Sequence, residues 1–126
     1  MKKIIIPVFA LLALVLGGCG QTHEARSMVK NFMADEMGLA DMHVVTWSKL
    51  DSTFFLKPGV MHTLQLQARH SGMVRPQTRF HAYTPKLLLM HVVSEVKGDT
   101  MSHTFYFDDK LQGIVGVKVD MPSSRR

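Results

Sequence analysis

The stretch KLLLMHVVSEVKGDTMSHTFYFDDKLQGIVGVKV, residues 86–119, decides the fold. It holds three runs rich in β-branched and aromatic residues, Lys86 to Val96, Met101 to Phe107 and Leu111 to Val119, separated by turn formers. Runs of this length and composition read as the strands of an antiparallel meander. Gly98-Asp99 suits a two-residue hairpin turn with glycine first. That turn pairs Val96 with Met101, Ser94 with His103, Val92 with Phe105 and Met90 with Phe107. A three-residue loop of Asp108, Asp109 and Lys110 then sets Phe107 opposite Leu111, Phe105 opposite Gly113, His103 opposite Val115 and Met101 opposite Val117. A two-residue loop would place Phe105 against Gln112 instead. Because a one-residue slip turns every side chain over, the burial pattern selects the longer loop. The expected core is Met90, Val92, Val96, Met101, Phe105, Phe107, Leu111, Val115 and Val117.

Upstream, Ala25, Met28, Val29, Phe32, Met33 and Met37 recur at steps of three and four, the period of an amphipathic helix. Thr22 suits its start and Gly38 its end, with Glu24 placed where a negative charge favours the helix dipole. His43 to Leu50 reads as a strand continuing towards Phe54 and Phe55, with Val45 and Trp47 on one face and Val44 and Thr46 on the other. Residues 58–71 fit both a strand alternation and a helical face. Pro58 in a first turn, the helix-forming Gln, Leu, Met, Ala and Arg, and Gly72 as terminator favour helix. Residues 73–85, with Pro76 and Pro85, form a connection holding at most one short strand around Arg79 to Tyr83.

The expected fold is therefore α+β: an N-terminal helix, a strand, a second helix and a three-stranded antiparallel meander, with the helices packed on one face of the sheet. In general architecture that order is similar to small α+β folds of the cystatin-like and NTF2-like kind.

The first nineteen residues carry a different message. Lys2 and Lys3 precede an apolar run from Ile4 to Leu16 that closes on Leu16-Gly17-Gly18-Cys19. A charged start, a short apolar stretch and small residues before a cut site are the marks of an export signal. The run is shorter than the roughly 20 apolar residues a membrane span needs. This segment resembles the signal peptide and lipobox of bacterial lipoproteins. The resemblance implies cleavage between Gly18 and Cys19, a diacylglycerol on Cys19 and acylation of the new amino terminus. It further implies a domain of residues 19–126 anchored in the cell envelope, bound to the membrane through lipid alone. Gly20 stands where inner-membrane lipoproteins of enteric bacteria carry Asp, which favours the outer membrane facing the periplasm over the inner membrane or the cell surface.

Loss of residues 1–18 would leave 108 of the 126 residues, one domain with one core. Lys2 and Lys3 lie in that leader, so 13 basic side chains face 10 acidic ones. The basic residues are scattered, which excludes the basic stripe of a nucleic-acid binder. Cys19 is the only cysteine, so once lipidated it leaves no thiol for a disulfide or a nucleophile.

Candidate chemistry is sparse. His43, His62, His70, His81, His91 and His103 show no ligand spacing, the closest being the eight residues from His62 to His70, so no metal site or other cofactor is expected beyond the covalent lipid. Met28, Met33 and Met37 read as core filler. Nucleophile-elbow, zinc-protease, phosphate-loop and calcium-loop motifs are missing from the sequence, so no catalytic residue is assigned and the sequence leans away from an enzyme. The meander's outer face is expected to carry Leu89, His91, Val93, Tyr106, Gln112 and Ile114, more apolar than a solvated face requires. Glu95 would stand about 13 Å from His91 along the strand, beyond hydrogen-bond reach. The face would be covered by the 73–85 connection, by a second copy or by another envelope component. The leading expectation is a lipid-anchored, non-catalytic protein-binding module with an envelope partner or a homodimer. The alternative is a small-ligand or metal binder using a pocket lined by His62, His81, His91 and Tyr106.

Overall fold

In the computed structural model, residues 20–120 are described. The leader, Cys19 and the tail beyond Asp120 lie outside them. Helix α1 spans residues 20–35. After it come strands β1 (His43–Trp47) and β2 (Asp51–Thr53), helix α2 (Pro58–His70), and strands β3 (Leu87–Val96), β4 (Asp99–Phe107) and β5 (Ile114–Val119). The fold is α+β, with an open antiparallel sheet ordered β1-β3-β4-β5 and β2 pairing β3 beside β1.

Sequence and structure agree on where the helices end. Gly38 takes φ +68° just past α1, and Leu39 N donates back to Met33 O. Gly72 takes φ +82° after α2, a conformation that costs an L side chain energy and costs glycine little. The start differs, because the described residues are already helical at residue 20, so Thr22 lies within α1 and not ahead of it. Proline at the first turn of α2 follows Lys57, the residue at its N-cap.

Register departs from expectation in an instructive way. Lys97 and Gly98 both have positive φ, +53° and +86°, so the β3–β4 hairpin turns one residue earlier than Gly98-Asp99 would. The observed pairs are Val96 with Asp99, Ser94 with Met101, Val92 with His103, Met90 with Phe105 and Leu88 with Phe107. Every partner is displaced by two residues, which keeps each side chain on its expected face. The β4–β5 connection is longer than expected, with Phe107 pairing Ile114. Buried Asp108 organises it, its Oδ1 accepting from the backbone N–H of Gln112 at 2.7 Å and of Gly113 at 2.8 Å. Phe105 therefore pairs with Val117 and His103 with Val119.

Two bulges redistribute side chains. In β1 the register shifts between Val44 and Thr46, leaving Val45 exposed while Val44 and Trp47 both turn to the core. This corrects the simple alternation that paired Val45 with Trp47. In β5 a shift opposite Tyr106 and Phe107 sends Ile114 to one face and Val115 to the other. Between β1 and β2 the edge is stitched by Ser48, whose N–H donates to His91 O and whose Oγ accepts from His91 N.

Both helices pack against the sheet. Ala25, Val29 and Met33 of α1 cover the face of Met90, Val92, Phe105, Phe107 and Val117, joined by Ala68 of α2. Leu111 belongs to this core as expected. Val96 and Met101, expected in the core, are only half-buried near the hairpin end, and Val115 joins Met61, Leu87 and Tyr106 in a smaller cluster on the opposite face. Arg69 ties the layers together: its guanidinium donates to Thr78 O and stacks 5.1 Å over Phe80, while Thr78 Oγ1 donates to Glu36 of the α1 turn at 2.8 Å. Among the described residues no helix is long and apolar enough to cross a membrane.

Candidate functional site

Of the six residues expected on the outer face, the structure brings four together. Leu89 pairs with Tyr106, His91 with Thr104 and Val93 with Ser102 across β3 and β4. Gln112 does not join them, because it belongs to the Asp108 loop, where it is exposed. Ile114 is buried in the main core on the other side, turned there by the β5 bulge. The Leu89 end of the face is covered from within the chain: Met61 and Leu64 of α2, with Leu56 and Tyr83, pack on Leu87, Tyr106 and Val115. Tyr83 Oη fixes this cover by donating to Leu56 O at 2.6 Å.

Further along the same face is a polar cluster that sequence reasoning missed. Asp120 Oδ1 accepts from Thr104 Oγ1 at 2.7 Å and its Oδ2 from Ser102 Oγ at 3.0 Å. His91 Nδ1 lies 2.7 Å from the same Thr104 oxygen. A threonine hydroxyl has one proton, and here the carboxylate takes it, so His91 must donate from Nδ1. That polarity is the reverse of a nucleophile–base pair, in which the histidine accepts the hydroxyl proton. The arrangement holds the end of β5 on β4 and leaves the His91 side chain 55 % exposed. Burial, aided by the Asp120 carboxylate, raises the Tyr106 phenol above its ordinary value. The signal available in the sequence was the pair Ser102 and Thr104, two hydroxyl residues that share one face of β4.

His103 lies on the core side, where burial lowers its imidazole below the ordinary value against an opposing pull from Asp120. Its Nδ1 and the Ser94 hydroxyl are both buried without a hydrogen-bond partner among the described residues. The remaining histidines are dispersed. His43 lies 3.6 Å from Glu95 and His81 3.8 Å from Asp108, at separate places in the fold. Of His62, His81, His91 and Tyr106, His81 lines a groove with Phe80, Gly113 and Ile114 that none of the other three lines. Among the described residues no three His, Cys, Asp or Glu side chains converge as a metal-ligand group.

A groove of about 880 Å³ lies between the C-terminal half of α2 and the end of β5. Leu64, Ala68, Met73, Val117 and Val119 give it an apolar wall, with Lys118 and Asp120 at the rim. Its geometry follows from the sheet order, since β5 has a strand on one side only. Asp120 N donates to Ser102 O of β4 at 2.8 Å, so the alternation of an antiparallel strand turns the main-chain N–H and C=O of Val117 and Val119 outward, to the groove. Gln65 Nε2 from α2 satisfies the outward carbonyl of Val115 at 2.8 Å. No comparable bond reaches Val117 or Val119 among the described residues. The other sheet edge differs, because β1 is broken by its bulge, a feature that blunts edge pairing.

Compared with protein-family models, curated proteins and solved structures, the chain finds no match in any of the three.

Proposed function

We propose that the chain is a lipid-anchored, non-catalytic protein-binding module of the cell envelope, tethered through Cys19 to the periplasmic face of the outer membrane. The groove between α2 and β5 takes an extended segment of a partner protein. One observation carries this reading: an apolar groove whose floor is an edge strand with main-chain groups at Val117 and Val119 that meet no partner among the described residues. An added strand would bond to those groups while its alternate side chains fill the space beside Leu64, Ala68 and Met73, the recognition mode of strand addition.

A photo-crosslinking residue at Gln67, exposed on α2 and part of the groove lining, tests the groove in living cells. A discrete adduct is expected, and Val119→Pro, which deletes an outward N–H from an edge strand, is expected to abolish it. An adduct indifferent to Val119→Pro, or none, refutes the groove. A self-adduct would identify the segment as one from a second copy. For the anchor, Cys19→Ala is expected to stop acylation, and a Cys19→Ala chain that still partitions into detergent would refute it.

A further inference from the structure

Phe54 and Phe55 are the most exposed large apolar side chains of the described residues, at 67 % and 90 %. They follow β2 directly, and Thr53, its last residue, pairs with Leu87 at the start of β3. The tip is shaped, with Phe55 N donating to Thr53 Oγ1 at 3.2 Å. Three exposed lysines share this end of the sheet. Lys57 is the N-cap residue of α2, Lys86 precedes β3, and Lys110 lies in the loop after β4. The last two are brought close because Thr84 Oγ1 donates to Lys86 O and accepts from Asp109 N. Asp109 is the exposed carboxylate among them, and Asp51 lies two pairs further in, opposite Leu89.

The amino-terminal end of α1 points the same way. Ala34 lines a cleft with His43 and Val44 at the start of β1, whereas Arg26 and Lys30 lie 5.4 and 6.0 Å over the ring of Trp47 at its end. Going back along α1 therefore follows β1 towards β2. Gly20, six residues before Arg26 and about 9 Å further along the axis, is displaced from Trp47 in the direction of the Phe54-Phe55 end.

We propose that this end is a membrane-docking face. Phe54 and Phe55 enter the interfacial layer of an anionic phospholipid surface, and Lys57, Lys86 and Lys110 lie against its headgroups. The proposal rests on the anchored reading above, since acyl chains at Cys19 hold this end beside the bilayer. They also make a weak contact sufficient, because tethering turns docking into an intramolecular step. Docking fixes the orientation of the domain: Val119, paired with His103 in the far half of β4, and the Lys97-Gly98 turn then face away from the membrane.

The test uses the full chain, extracted in detergent and reconstituted into vesicles of phosphatidylethanolamine and phosphatidylglycerol with brominated acyl chains. Trp47→Phe removes the one native tryptophan. Into that background go Phe55→Trp or, at the opposite end, Thr100→Trp, exposed beside the hairpin turn. The bromines are expected to remove most of the Phe55→Trp emission and to leave Thr100→Trp bright, with weaker quenching when phosphatidylglycerol is omitted. Intact mass, measured on the same sample, reports acylation separately. An acylated chain whose Phe55→Trp emission survives like that of Thr100→Trp overturns the docking face alone. A chain without the acyl mass overturns the anchor on which it rests.

Discussion

Replacing Phe105 by alanine is expected to cost about 3 to 5 kcal/mol. The ring is fully buried in β4, between the paired residues Met90 and Val117. Phe32 from α1 meets it edge-on at 6.1 Å between centroids, and the His103 ring lies 5.9 Å away. Deletion therefore opens a cavity where helix and sheet meet and also removes an aromatic pair, which adds about 0.5 to 1.5 kcal/mol to the area term. A domain of this size has roughly 5 to 15 kcal/mol of stability. Each kcal/mol moves its midpoint by about 4 to 8 °C, so the variant is expected to melt roughly 12 to 40 °C lower. Urea titration followed by Trp47 emission and circular dichroism supplies the energy, with an unchanged slope showing that the same surface unfolds. A cycle with Phe32→Ala isolates the ring pair. Phe55→Ala, at an exposed site, is the control and should stay within about 0.5 kcal/mol of the parent. A Phe105→Ala loss below about 1 kcal/mol would refute both the placement of this ring and the register built around it.

Three further outcomes follow from packing and charge. Gly116 faces Met61, and a Cβ there would meet its sulfur, so Gly116→Ala should cost about 1 to 3 kcal/mol and less in a Met61→Ala background; equal costs in both would contradict the contact. The unfolded His103 titrates near the ordinary histidine value of 6.5, whereas burial makes the folded one titrate lower. As pH falls below that value, the unfolded state takes a proton that the folded state resists. Stability is thus fully present above the unfolded value and lost below it, by at most about 1.4 kcal/mol per pH unit. His103→Gln should flatten this slope between neutral and mildly acid pH, and an unchanged difference would exclude His103 as its source. Asp108→Ala leaves the inward amides of Gln112 and Gly113 without their acceptor and should cost about 1 to 3 kcal/mol, with Asp108→Asn milder because one oxygen remains; equal melts for the two would refute the loop assignment.

The α+β class, both helices and the three meander runs were legible because each rests on local composition and periodicity. Residues 58–70 are helix, where proline at the start and glycine at the end outweighed an apolar alternation. Face assignment survived a wrong turn because the displacement was two residues, an even number: Met90, Val92, Phe105 and Phe107 are core in either register. Bulges were not legible, since nothing in the composition of Val45 or Val115 marks an extra residue in a strand. Ile114 was placed on the wrong face for that reason. The Asp120 cluster depends on the true register, which sets Thr104 beside both His91 and Lys118. The groove depends on where α2 lies along β5, a tertiary relation with no signature of its own in either segment.

The bulge in β5 divides the domain's resistance to opening. By giving Ile114 to one side and Val115 to the other, it lets a single strand feed a large apolar cluster under α1 and a small one under the start of α2. The small cluster is built from Met61, Leu87, Tyr106 and Val115, so lifting the first turns of α2 forfeits only that side while β3 and β4 stay clamped by the other. Amide exchange should accordingly run in two tiers, with the N–H groups of the early α2 turns surrendering deuterium before those of Met90 and Phe105. The C-terminal half of α2, which walls the groove, is held by Ala68 in the large cluster, so the wall stays with the floor while the start of the helix opens.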